Sequence, residues 1–356
     1  MEKKFRIFKQ VPKLIFGENS INRIHELVPS FDLDTDYVLI VFDIFFKDKT
    51  PEILPNYDKE IIFFNSKESE PKTSQINDFR DHILKLRDNK IPRLIIAVGG
   101  GSSMDVGKSL STLFTNKKNA EDYQGWDLPK NRGVHKIGVP SIAGSGSEAS
   151  RTAVLTSKHK KMGINSDFSM FDSIILDPNL LKTVPKDLFI YSAMDCYIHC
   201  VESLEGTYIN TLSRSYAETA LKLCTEALMS ENPNLSKLLT ASYLGGVSIV
   251  NSEVGVAHAL SYGISLEYGY RHGLANCIIF NHLEEYYGSH VKTFKKILNK
   301  HKITLPTNLS SKFNQDKIDK MIDTALLMER PLENAFGENW KNIFTREEIE
   351  SVYKKL

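Results

Sequence analysis

Over the first half of the chain, short apolar runs alternate with amphipathic stretches. Residues 37–42, 61–64 and 94–98 contain no polar side chain apart from the hydroxyl of Tyr37, the pattern of strands buried on both faces of a parallel sheet. Residues 5–8 and 14–16 predict a pair of strands, followed by a helix over 21–27. Between residues 74 and 86 the apolar positions Ile76, Phe79, Ile83 and Leu86 fall three and four apart, one face of a helix, with Thr73 as its expected cap. A further strand is expected over 137–140. Strands alternating with helices predict a doubly wound, Rossmann-like parallel sheet.

The pattern changes near Asp177-Pro178. Beyond it strand-like runs become rare, and helical periodicity spans 188–204, 212–229 and 235–250. The expected organisation is an α/β domain over residues 1–180 and an all-α domain over 181–356. Residues 116–132 are polar and read as a surface loop.

Composition narrows the function. The 356 residues carry 45 basic and 44 acidic side chains, formal net charge +1, with 41% hydrophobic residues. That balance supplies no charge excess for nucleic acid or an anionic membrane. The apolar runs are too short to cross a bilayer, and the charged N-terminus does not read as a signal peptide. Cys196, Cys200, Cys224 and Cys277 form no C-x-x-C pair, so a reducing cytoplasm is the expected location.

Candidate chemistry begins at two glycine-rich turns. Gly99-Gly100-Gly101-Ser102 follows the strand over 94–98 and precedes a helix expected to start near Ser102. Glycines there let a backbone approach a pyrophosphate, and the helix N-terminus offers free N–H groups. The spacing is not G-x-G-x-x-G, and a tight turn without a ligand is the alternative. Residues 141–148, Ser-Ile-Ala-Gly-Ser-Gly-Ser-Glu, form a second such turn, a nucleotide contact or simply a flexible loop. Asp43 follows the strand over 37–42, where a carboxylate can accept from a ribose diol and repel a 2′-phosphate; a solvated loop carboxylate is the alternative.

Asp195 and His199 stand four apart in an expected helix and so share a face, with His258 and His272 downstream. One carboxylate and three imidazoles suit a first-row divalent metal with open coordination positions. Spacing alone favours the plainer reading of each as an ordinary helical side chain.

Taken together, these motifs resemble the iron-containing (group III) alcohol dehydrogenases. Gly99-Gly100-Gly101-Ser102 with Asp105 and Lys108 is similar to that family's GGGSxxDxxK signature. Residues 140–148 resemble its P-T-T-A-G-T-G-S-E segment, with Ser141, Ile142 and Ser145 in place of threonines. Ala193-Met194-Asp195 through His199, Val256-Ala257-His258-Ala259 and His272-Gly273-Leu274-Ala275-Asn276 resemble its three ligand motifs, and Leu14-Ile15-Phe16-Gly17 and Leu176-Asp177-Pro178 also match. The resemblance implies the fold shared with dehydroquinate synthase, NAD as cofactor, and Fe2+ or Zn2+ held by Asp195, His199, His258 and His272. It makes Gly100, Gly101, Ser102, Asp105, Ser141, Ser145 and Lys161 cofactor contacts, and places Asp43 where NAD-preferring members carry Asp. Two positions depart from the family. Tyr262 replaces a histidine thought to relay a proton, and Arg271 precedes the last ligand where a neutral residue is common. Arg271 can hold a substrate carboxylate, face solvent or pair with Glu267.

The segments 192–204 and 258–263 resemble a branch that oxidises the 8-hydroxyl of the sugar acid 3-deoxy-D-manno-octulosonate (Kdo), a step toward lipopolysaccharide. The expected activity is hydride transfer from an alcohol or sugar acid to NAD. The expected partner is that small molecule, with no nucleic acid or membrane, and a homodimer is the working assembly. The rivals are a short-chain alcohol, aldehyde or lactaldehyde-type reductase of the same family, a sugar-phosphate cyclase like dehydroquinate synthase, and a nucleotide-sensing protein without catalysis.

Overall fold

A computed structural model describes residues 7–67, 70–158 and 160–356. Its main sheet has six parallel strands: β1 (Lys13–Phe16), β2 (Val38–Asp43), β3 (Lys59–Phe64), β4 (Leu94–Gly99), β6 (His135–Pro140) and β9 (Ser173–Leu176), in the order β1-β9-β6-β4-β2-β3. Every residue of β2 and β4 is buried, as the apolar runs 38–42 and 94–98 require, and each Val, Leu, Ile or Phe side chain among them contributes about 1.5–3 kcal/mol on burial. Helices α1 (Thr73–Leu86) and α2 (Gly101–Thr115) cover one face, and 3-10 turns at Ser20–Leu27 and Ile44–Phe46 pack on the other.

From β2 the chain moves outward to β3, then returns to place β4 on the opposite side of β2. This reversal is a topological switch point, where open α/β sheets bind ligands at their carboxyl edge. Asp43 ends β2 and Gly99 ends β4, so the switch point brings both nucleotide candidates to one edge.

A small second sheet joins β5 (Gly125–Trp126), β8 (Lys161–Asn165) and β7 (Thr152–Thr156). The stretch expected to be a plain surface loop therefore contains a 3-10 turn, Ala120–Tyr123, and strand β5. Ala120 and Tyr123 are buried, which anchors the turn. Two other local expectations change. Residues 5 and 6 lie outside the described residues and Ile7 and Phe8 are not in a strand; β1 pairs instead with the distant β9, Lys13 with Ser173 through Phe16 with Leu176. The cap position of α1 belongs to Lys72 rather than Thr73, and the Gln75 side chain accepts from the Lys72 N–H at 3.2 Å.

Beyond Asp177 the described residues form no strand. The helices are α3 (Lys186–Glu205), α4 (Thr211–Met229), α5 (Leu235–Asn251), α6 (Val256–Tyr268), α7 (His272–Phe280), α8 (Glu284–Tyr287), α9 (Ser289–Lys300), α10 (Gln315–Leu326), α11 (Glu329–Phe336), α12 (Trp340–Ile343) and α13 (Arg346–Lys354). They enclose one large apolar core. None of the described helices is long and apolar enough to cross a membrane.

The turn after β6 locks the two halves together. The Gly144 N–H donates to Ser242 Oγ on α5 at 2.8 Å. A Cβ at Gly144 would lie 1.9 Å from the Ser192 carbonyl oxygen, at a φ of +157°. Gly17 also has a positive φ, +137°, but open space around it. Gly17→Ala therefore costs only backbone strain, about 1–3 kcal/mol, whereas Gly144→Ala adds to the same strain a clash with fixed backbone, about 1–3 kcal/mol more. Thermal denaturation of the two variants checks this: the Tm of Gly144→Ala falls well below that of Gly17→Ala, and equal losses would remove the clash from the account.

Candidate metal and nucleotide site

Helix α3 presents Asp195, His199 and Glu202 on one face, at spacings of four and three. His258 lies in the first turn of α6, and His272 is the first residue of α7. From Asp195 Oδ1 the Nε2 atoms of His258, His272 and His199 lie at 3.5, 3.8 and 3.9 Å. One ligand atom from each of the four residues falls within 4.8 Å of all the others. A tetrahedral ion with bonds of about 2.1 Å would need edges of about 3.4 Å, so the four donors surround a position of nearly the right size.

The hydrogen bonds around that position fit a cation. Asn276 Nδ2 lies 2.6 Å from Asp195 Oδ1, 3.0 Å from His258 Nε2 and 3.2 Å from His272 Nε2. An amide NH2 has two protons and cannot serve three acceptors at once. Asn276 Oδ1, His199 Nδ1 and His272 Nδ1 are buried without a partner. Glu202 fixes the orientation of His258: its Oε2 lies 2.5 Å from His258 Nδ1, while Oε1 accepts from the Ala257 N–H at 2.6 Å. A carboxylate on the far ring nitrogen of a ligand histidine sets the tautomer that turns Nε2 toward an ion.

Protonation follows from burial and charge. Burial depresses the His199 and His272 imidazoles, the latter to about 4. Burial also works to raise Asp195, yet the imidazoles of His199, His272 and His258 hold its carboxyl well below the usual range. His258 goes the other way: burial opposes its charge, but Glu202 and Asp195 push it up to about 10. Without a metal, the extra proton on His258 therefore offsets only one of the two buried carboxylates, Asp195 and Glu202.

The cluster opens on a cleft of about 1460 Å³. Asp43, Gly100, Gly101, Ser102, Asp105, Ser145 and Lys161 line the same cleft. Gly100 caps α2 without a side-chain bond, leaving that helix N-terminus open, and a Cβ at Gly101 would meet Ser145 Oγ at 2.8 Å, so the two glycine-rich turns touch. Asp43 Oδ1 accepts from the Phe45 N–H at 2.9 Å, and Oδ2 lies 3.5 Å from Ser103 Oγ. Asp105 is spoken for by Ser147 Oγ at 2.8 Å and the Val154 N–H at 3.2 Å, which makes it a brace between α2 and the second turn as well as a cleft residue. Ser141 is not among the lining residues. It is buried, its N–H donating to the Gly99 carbonyl at 2.8 Å, and Ile142 faces the cleft instead.

Tyr262 and Arg271 also reach the cleft. The Tyr262 ring centroid lies 5.6 Å from that of His272, with Lys161 Nζ 5.0 Å from it. Arg271 neither pairs with Glu267 nor points free; its Nη2 donates to the Lys67 carbonyl at 3.0 Å. Glu70 belongs to none of the sequence motifs. Its Oε1 accepts from the His272 N–H at 3.1 Å, capping α7 from the other domain, and its Oε2 meets Lys161 Nζ at 2.5 Å.

Comparison with known proteins bears on this arrangement. The family model for iron-containing alcohol dehydrogenases matches residues 12–178, and the model for the C-terminal region of the Fe-containing alcohol dehydrogenase family matches residues 189–325. The 4-hydroxybutyrate dehydrogenase of Clostridium kluyveri is 29% identical over 323 residues, 81% of this chain and 84% of that protein. Alcohol dehydrogenase 4 of Schizosaccharomyces pombe is 25% identical over 67% of this chain, a match that spans 58% of the yeast protein's length. Among solved structures, an alcohol dehydrogenase from Oenococcus oeni superposes with a TM-score of 0.84 at 22% identity, covering 98% of this chain and 99% of that one. That likeness establishes the fold, a Rossmann-like parallel sheet followed by an all-α domain.

The proton on His258 makes metal binding pH-dependent. A divalent ion has to displace it, so below the His258 value of about 10 affinity rises about tenfold per pH unit and about one proton is released per ion. In the metal-free protein the sign is the reverse for stability: the raised pKa stabilises fully below about pH 6.5, and this is lost as pH rises through about 10. Glu202→Gln lowers metal affinity about 10–100-fold and moves the steep region to lower pH. Chelator competition across a pH series measures both effects, and a flat profile would exclude a protonated His258.

Proposed function

The chain belongs to the iron-containing alcohol dehydrogenase family, and on that premise we propose that it transfers a hydride from an alcohol to NAD with a divalent metal, iron or zinc, at the Asp195–His199–His258–His272 cluster. The observation that carries the reading is that this cluster and the glycine-rich switch point open on one cleft. When bound, the ion supplies a Lewis acid for the alcohol oxygen and the nicotinamide supplies the hydride acceptor.

The chain's own groups do the positioning. Glu202 keeps the His258 Nε2 lone pair directed into the cluster. The open N-terminus of α2 favours a pyrophosphate beside Gly100 and Gly101, and Asp43 faces the position of a ribose at the end of β2. Glu70 holds Lys161 and the first turn of α7 together, fixing the seam between the nucleotide side and the cluster. The Asp/His/His/His set disfavours the sugar-phosphate cyclase reading, which calls for a Glu/His/His set and unpaired cations for a phosphate.

For the substrate we propose an anionic polyol or sugar acid, with the 8-hydroxyl of Kdo as the specific case. The likeness of residues 192–204 and 258–263 to the Kdo-oxidising branch supports it. So do the names of two relatives, 4-hydroxybutyrate dehydrogenase and the sulfoacetaldehyde reductase of Bilophila wadsworthia, both of whose named compounds are anions.

With iron or zinc supplied, the protein reduces NAD in the presence of such alcohols, chelation abolishes the reaction, and re-addition restores it. His199→Ala lowers kcat/KM at least about a hundredfold while altering NAD affinity little, since it removes a ligand and no nucleotide contact. A variant that retained metal and full activity would defeat the assignment.

Cofactor choice is a separate outcome. NAD is preferred over NADP because the Asp43 carboxylate repels a 2′-phosphate. Asp43→Gly narrows the ratio of kcat/KM values by about tenfold, equivalent to about 1.4 kcal/mol. An unchanged ratio would take Asp43 out of the nucleotide site.

A further inference from the structure

The cleft is larger than the groups described so far require. Beyond the nucleotide candidates and the metal cluster it continues along Trp126, Arg151, Glu253 and Arg330. Strand β8 gives the scale. It begins at Lys161, beside Tyr262, and ends at Asn165, which pairs with Trp126. Four residue steps of strand set these two ends about 13 Å apart.

The cations of this extension differ in how far they are committed. Arg151 is held by Asp127 and by Asp167 at 2.9 Å, and Lys9 by Asp167 at 2.6 Å. Nearer the cluster, Lys161 is held by Glu70 and Arg271 by the Lys67 carbonyl. Arg330 stands apart. Its guanidinium lies 4.1 Å from the centroid of the Trp126 ring, and its Nε lies 3.5 Å from Glu253 Oε2. Its two terminal nitrogens make no hydrogen bond among the described residues. Arg330 is the second residue of α11, whose cap position, Met328, supplies no side-chain bond, so the positive end of the helix adds to the guanidinium. Asn334, one turn on, donates to the Glu253 and Val254 carbonyls at 3.2 and 3.0 Å. This pins α11 to the loop that leads into α6 and its His258.

We propose that Trp126 and Arg330 form the subsite that reads the charged end of the alcohol, a carboxylate or sulfonate carried at the opposite end of the molecule from the hydroxyl that is oxidised. Trp126 holds the guanidinium plane by cation–π contact, and the free Nη edge offers paired donors of the geometry a carboxylate accepts. The proposal rests on the alcohol dehydrogenase reading and adds to it the means of choosing an anion. Arg271, one of whose terminal nitrogens already donates to the Lys67 carbonyl, gives way in that role to Arg330, both of whose terminal nitrogens are unpaired among the described residues.

The test compares ω-hydroxy acids of four to eight carbons with the matching α,ω-diols, using metal-loaded protein and NAD. The wild-type preference for acid over diol grows with chain length as the carboxylate reaches Arg330. Arg330→Ala lowers the acid-to-diol ratio of kcat/KM at least about tenfold, through KM rather than kcat, and Arg330→Lys restores part of it. A second readout needs no turnover: hexanoate, which has the carboxylate but no hydroxyl, binds the wild type in calorimetric titration, binds Arg271→Ala, and fails to bind Arg330→Ala. Equal losses for acid and diol, or hexanoate binding unaffected by Arg330→Ala, overturn the subsite. If neither class of alcohol is oxidised by the wild type, the dehydrogenase reading fails, and hexanoate binding still decides on Arg330.

Discussion

The constraint on which the site depends is the burial of charge around Asp195. Asp195 and Glu202 are both 2% exposed or less. Burial works to raise the Glu202 carboxyl as it does that of Asp195, but His258 outweighs it, and both end below their ordinary values. Two buried carboxylates with one imidazolium leave a net negative charge in a region that solvates charge poorly, which is expensive to maintain. A divalent ion replacing the single proton of His258 brings the sum to neutrality. The helices follow from this requirement. α3 must present positions 195, 199 and 202 on one face, α6 must begin just before His258, and α7 must begin at His272, with Asn276 one turn later reaching back to the same point.

The second requirement is that the nucleotide edge of the sheet stay in register with that cluster, and three contacts across the two halves achieve it. Gly144 and Gly146 admit α3 and α5 at distances that no Cβ would allow. Glu70 caps α7, and Arg271 reaches back to the Lys67 carbonyl. Lys67 and Glu70 both lie between β3 and α1, so the connection that flanks the switch point also holds the first turn of α7. Cleft shape and cluster geometry are thereby coupled through α7.

Local pattern made the sheet legible: β2, β3 and β4 are short apolar runs, and the glycines and Asp43 mark their ends. The four ligand candidates were also legible, because helical spacing unites Asp195 with His199 and the remaining histidines sit in recognisable motifs. What stayed hidden depends on partners remote in sequence. β1 pairs with a strand 160 residues away. The small sheet is built from strands of two to five residues, too short for periodicity to register. Glu202 looked like any helical carboxylate, although its place three residues after His199 on the ligand face was a usable signal. Glu70 had no such signal, since only the folded chain brings it to α7. Ser141 is hidden for a related reason: it is buried directly after Pro140, and Ile142 lines the cleft instead.

Tyr262 occupies the position at which the family resemblance implies a proton-relaying histidine. Burial raises its hydroxyl, and the carboxylates of Glu70, Asp105 and Asp195 raise it further. A phenol so placed keeps its proton at neutral pH. It can donate a hydrogen bond but cannot take up a proton as a histidine at that position could. For the proposed reaction, a tyrosine beside His272 offers no such proton acceptor. His199 and His272 are committed to the cluster, and His258 is committed to Glu202. Lys161 and Glu70, which line the same cleft, are already joined at 2.5 Å. Of these Glu70 is the acceptor, its carboxyl held below its ordinary value because Lys161 and His272 outweigh the effect of burial, so it is a weak base. On the proposed reaction, the side chains around Tyr262 therefore offer donors and a weak base rather than a ready proton acceptor.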